Sequence, residues 1–94
     1  MTIVYRVAQS KSAIIPWPCD FTKSLTTGAT VSSAVATHYP PSGTATNPVE
    51  QIASPIVYVK TGPLGVLGMH IVDVLATNSD GTKDDIRIYI RVDY

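Results

Sequence analysis

Residues 67–94 constrain the fold of this chain more than any other stretch. They hold two runs of strand-type sequence, LGMHIVDVLAT and TKDDIRIYIRVDY, facing each other across Asn78-Ser79-Asp80-Gly81. Asp-Gly between two β-rich runs is a hairpin signal, because the turn needs a positive φ and glycine supplies it without steric cost. The second run alternates with period two. Ile86, Ile88, Ile90 and Val92 point one way, and Asp85, Arg87, Tyr89 and Arg91 the other. Such a strand lays one face on a core and the other in water. Two registers compete for the first run. One turns Val72, Val74 and Ala76 inward with His70; the other buries Asp73, which costs more unless the carboxylate is paired. The first register is therefore expected, with Ile71, Asp73, Leu75 and Thr77 outward.

The preceding residues read as further short strands. Residues 2–8 alternate, with Ile3, Tyr5 and Val7 opposed to Val4 and Arg6. Gln9 to Ser12 is a polar turn, and Ala13-Ile14-Ile15 a brief extended piece ended by Pro16. Trp17 lies between two prolines, which hold it extended or in a turn. Cys19-Asp20-Phe21 resumes a strand, and Thr22 to Thr27 is a loop or a single helical turn capped by Asp20 or Thr22. Gly28 opens a strand over residues 29–38 whose Val31, Ser33 and Val35 are expected on one face. Tyr39-Pro40-Pro41-Ser42-Gly43 is the strongest breaker and a turn. Thr44 to Thr46 is a small strand, followed by strands over residues 49–53 and 55–61. In the latter, Ile56, Tyr58 and Lys60 oppose Val57, Val59 and Thr61. Pro55 fits only a strand start or an edge. About seven strands at this spacing, without an amphipathic helix, predict an all-β, immunoglobulin-like antiparallel β-sandwich that fills residues 1–94 as one domain and ends in a long hairpin.

Composition narrows the partners. Lys plus Arg and Asp plus Glu number seven each, so no basic field exists to attract nucleic acid or an anionic membrane. Charged residues make up only 15% of the chain, which eases self-association or docking into an assembly. Cys19 is the single cysteine, so no internal disulfide forms. The first residues, MTIVYRVAQSK, lack the basic region and apolar run of a signal peptide, and no apolar stretch reaches the roughly 18 residues of a membrane span. Synthesis and folding in a cytoplasm are expected.

No pattern carries catalysis. His38, His70 and Cys19 have none of the spacings of a metal or nucleophile motif. Asp80, Asp84 and Asp85 fit a solvated turn better than a calcium loop. Ser24, Ser32 and Ser33 lack a nucleophile elbow. Gly62, Gly65 and Gly68 lack the Lys-Ser/Thr pair of a phosphate loop. No catalytic residue, cofactor or metal is expected. The residues that point to function are apolar ones in loops. Leu64, Val66 and Leu67 place three apolar side chains in a Gly-rich connection, the mark of an interaction site. Tyr39 and Pro40, and Trp17 in its own Pro-rich segment, are candidate anchors for a partner. The alternative role for Trp17 is to cover one open end of the core. Tyr89 and Arg91 are interface types as well, though cross-strand pairing with Thr77 or Asp73 explains them equally.

Two stretches together resemble a known family. Asp20-Phe21-Thr22-Lys23-Ser24-Leu25 with Gly28, Val31 and Ser33 is similar to an Asp-Trp-x-x-Trp-Leu…Gly…Ile-x-Ser segment of small phage-encoded immunoglobulin-like virion proteins of the fibre-tail adaptor type. Asn78 to Asp84 running into Ile90-Arg91-Val92 resembles the same family's final hairpin. Phe21 stands where Trp is usual, and the family's later Trp has no counterpart. The resemblance implies a non-enzymatic virion structural protein, synthesised in the bacterial host cytoplasm. It would serve as a tail, neck or fibre-tail adaptor, docked to other virion proteins in several copies of a symmetric assembly, without nucleic acid or membrane. A capsid decoration (cement) protein needs the same sandwich. A receptor- or carbohydrate-binding module with Trp17 and Tyr39 as stacking platforms is the reading from another class.

Overall fold

The computed structural model describes residues 3–94. Over these residues the chain forms seven strands: β1 (Ile3–Ala8), β2 (Ile15–Asp20), β3 (Val31–Tyr39), β4 (Glu50–Ala53), β5 (Ile56–Thr61), β6 (Gly68–Asn78) and β7 (Lys83–Val92). A 3-10 turn at Thr22–Ser24 is the one helical piece among them. The strands make a four-stranded sheet in the order β1-β7-β6-β3 and a three-stranded sheet in the order β2-β5-β4. Their inner faces meet in one core, as in an immunoglobulin-like sandwich. Thr2, expected to open the first strand, lies outside the described residues.

The C-terminal hairpin is the spine of the larger sheet. β6 and β7 pair from Gly68↔Val92 to Thr77↔Lys83, and the expected register holds. His70, Val72, Val74 and Ala76 are buried, and so are Ile86, Ile88, Ile90 and Val92. Asp73 faces outward and its carboxylate takes two hydrogen bonds from Arg87, at 2.7 and 3.0 Å. The turn is closed by the Gly81 N–H donating to the Asn78 carbonyl, with Gly81 at φ 87°.

Four expectations are corrected. The sandwich is not wholly antiparallel, because β1 runs parallel to β7, from Ile3↔Ile86 to Ala8↔Arg91. A first strand that crosses to the sheet of the last strand meets it in this direction, and the alternation expected for Ile3, Tyr5 and Val7 is kept. Second, the extended piece at residues 13–15 does not end at Pro16. β2 runs straight through IPWPCD, which is possible because it is an edge strand and proline removes no ladder bond on the open side. Third, Val31, Ser33 and Val35 do not share a face. The register shifts between Val31 and Ser33, a bulge that inserts a residue and reverses the alternation, so that Val31, Ala34 and Ala36 are buried while Ser33 and Val35 face water. Fourth, residues 44–46 are not a strand: Thr46 makes a single bridge to His38.

β5 alternates as expected, with Val57, Val59 and Thr61 inward. Together with Cys19 of β2 and Phe21 they form the opposite wall of the core, against which Trp17, Leu25 and Leu64 pack in part. Pro55 sits just before β5, as a strand start requires.

Candidate functional site

Strand directions sort the loops onto two ends of a body about 42 Å long and 20 Å wide. β1, β3, β5 and β7 finish at one end, where β2, β4 and β6 begin. Gln9 ties these elements together. Its N–H donates to the Arg91 carbonyl, its side-chain Nε2 to the Ala13 and Thr61 carbonyls, and its Oε1 accepts from Trp17 Nε1 and Thr61 Oγ1, both at 2.9 Å. The opposite end carries the hairpin turn, the 3-10 turn and the loop before β3.

The two ends differ in chemistry. At the hairpin end the hydroxyls and carboxylates bond to one another. Thr26 and Thr82 donate to Asp80, at 3.0 and 2.6 Å, and Asp20 accepts from the backbone and hydroxyl of Thr22. These bonds hold both carboxyls below the usual carboxylate range. At the Gln9 end Ile14, Tyr39, Val49, Val66, Leu67 and Met69 are exposed in or beside the loops, among polar residues such as Lys11, Ser42 and Asn47, while Val4, Val35 and Leu75 are exposed on the outer face of the larger sheet. Of these, the loop residues Tyr39, Val66 and Leu67 are the candidate contact residues, since exposed apolar side chains gathered in neighbouring loops suit a partner.

The structure brings most of the sequence candidates together there. Tyr39 pairs with Ile71 at the end of β3, and Gly68 stands so close to Pro41 that a Cβ on it would lie 3.3 Å from the ring. The Tyr39–Pro40–Pro41 turn therefore abuts the loop of Val66 and Leu67, which are 42% and 54% exposed. Leu64 differs from its neighbours in that it packs against the core and is half-buried. Trp17 is half-buried on β2, packs against the core, and commits its indole N–H to Gln9. Tyr89 and Arg91 do not pair with Thr77 or Asp73. Tyr89 carries the Arg6 guanidinium 4.8 Å from its ring centroid, and Arg91 bonds Asp93 at 2.9 Å.

A feature that sequence reasoning missed lies behind this surface. His38 Nε2 and His70 Nδ1 are 2.8 Å apart, the rings are stacked at 5.0 Å, and His70 Nε2 is 2.7 Å from the Val66 carbonyl. A carbonyl only accepts, so His70 carries its proton on Nε2, and its bare Nδ1 accepts from His38 Nε2–H. The tautomers of both rings are fixed by one backbone oxygen. His38 is left with a bare Nδ1 beside Thr46 Oγ1, a long contact at 3.5 Å. Burial, and then the neighbouring His70, hold His38 below its ordinary value. The pair lies 32 residues apart in sequence, and only the strand pairing His38↔Val72 places the rings together.

Among the described residues no group of three or more His, Cys, Asp or Glu is placed to hold a metal ion. Cys19 is fully buried, which pushes its thiol up to about 12. No helix is long and apolar enough to cross a membrane. No protein-family model matches the chain. A search of curated proteins finds no match either.

Proposed function

We propose that this chain is a non-enzymatic virion structural protein, a tail, neck or fibre-tail adaptor that docks to neighbouring virion proteins through its Gln9 end. The observation that carries the docking part is the meeting of two loops with exposed apolar side chains at that end, Tyr39 and Pro41 in one and Val66 and Leu67 in the other. The virion part rests on the two resembling stretches, Asp20 to Ser33 and Asn78 to Val92. A rigid sandwich suits this role because its contact loops are pinned. The Val66 carbonyl is held by His70, and Gly65 N–H donates to the Lys11 carbonyl at 3.1 Å. Loops ordered before contact lose little entropy on docking.

Quantitative mass spectrometry of purified particles, with immunogold labelling, tests the proposal. Copies in ring stoichiometry with label at the tail are expected. Lattice-scale copy number over the shell would make the chain a capsid decoration protein instead. Absence from particles would sink the virion reading.

A further inference from the structure

A groove of about 300 Å3 opens beside the Gln9 end, between residues 46–49 and residues 60–64, with His38 among its lining residues. Both of its walls are pinned. On one side the His38 N–H donates to the Thr46 carbonyl at 2.7 Å, the Thr46 N–H returns to the His38 carbonyl at 3.0 Å, and Asn47 Nδ2 donates to the Ala36 carbonyl at 2.9 Å. On the other side Gly62, at φ 113°, passes so close to the Ala13 carbonyl that no side chain fits there. A groove with fixed walls is a pre-formed site.

Its lining mixes carbon surface with the polar side chains of Thr46, Asn47 and Thr61 and carries one sign of charge. Pro48, Val49, Pro63 and Leu64 supply carbon surface, and Lys60 is the single formally charged lining residue, with no Asp or Glu in the lining. No ion pair engages Lys60 among the described residues. An ammonium without an ion pair, beside the carbon surface of Pro48, Val49, Pro63 and Leu64, complements a group that is apolar and anionic at once. Because the His38 backbone is already bridged by Thr46, an occupant has no free β3 edge to extend at that point and must be held by its side chains and carboxylate.

We propose that this groove binds a peptide segment presenting an aliphatic side chain next to a carboxylate, with Lys60 holding the carboxylate and the two prolines, Val49 and Leu64 holding the side chain. The binding requires only the groove, so it stands or falls independently of a place in a virion.

Nuclear magnetic resonance titration of the 15N-labelled chain tests it, with N-acetyl-leucine and N-acetyl-leucinamide as probes. The acid is expected to give saturating shifts confined to residues 46–49 and 60–64, and the amide to bind about tenfold more weakly. Lys60→Gln lies on an exposed strand position, and it is expected to bring the acid down to the level of the amide while the remaining resonances stay in place. Equal affinity for the two probes, saturation at residues outside the groove, or no saturable binding of the acid would each overturn the proposal.

Discussion

His38 gives the molecule a pH dependence whose sign follows from its surroundings. Burial and His70 disfavour its charged form in the folded chain, so the unfolded chain binds the proton more readily. The stability His38 contributes is therefore complete above its ordinary value of 6.5 and is lost as pH falls from there through the lower folded value. Asp20 and Asp80 act in a separate window. Their folded values are depressed below 3.8, so their contribution is present above 3.8 and is lost only as pH falls through those lower values. Urea midpoints between about pH 7.5 and 5.5 should drop in the wild type and stay flatter in His38→Gln. Cys19 is the other informative single residue. With its thiol pushed up to about 12 by burial, it should not react with an aromatic disulfide reagent in the folded chain at neutral pH, and should react at once in denaturant.

At the scale of the strand, hydrophobic alternation was decisive where a strand is regular and silent where it is not. β7 and β5 are legible residue by residue, because one face of each meets the core without interruption. The register of β6 followed from the cost of burying Asp73, and the Arg87 pair on the outer face bears that out. β3 was misread because its bulge carries no mark in VSSAVAT: serine and alanine fit either face, and only the pairing to β6 shows where the phase reverses. The His38–His70 pair escaped for the same reason, since partners on different strands have no sequence spacing to detect. The bulge makes a sharp prediction about neighbours. Val35→Thr should change stability by less than about 0.5 kcal/mol, as for other exposed sites, while Ala36→Val should cost about 1–3 kcal/mol by overpacking the core. Urea denaturation of the two variants checks it.

For the molecule as a whole, the apolar loop residues were legible in the sequence, but their meeting at one end was not. Leu64, Val66, Leu67, Tyr39 and Pro40 were identifiable as apolar residues where loops are normally polar. That the two loops abut depends on strand directions, which the residues alone do not state. The distinction within the loop matters for testing. Val66→Asp or Leu67→Asp should leave the thermal midpoint within a few degrees of wild type while removing the chain from particles, measured by immunoblot of purified virions. Leu64→Asp should lower the midpoint as well, because that side chain packs on the core. Incorporation undiminished by both Val66→Asp and Leu67→Asp would take this loop out of the interface.

The parallel pairing of β1 with β7 has a consequence for how the chain comes into being. Ile3 finds its partner in Ile86, so β1 has no place in the sheet until β7 has been made. The hairpin that forms the spine of that sheet follows β1 to β5 in the chain. Folding of the larger sheet is thus deferred until β7 has emerged, and a nascent chain stalled before residue 83 should remain sensitive to protease along its whole length. That delay also keeps the loops of the Gln9 end apart until β7 is in place, since Gln9 itself bonds the Arg91 carbonyl.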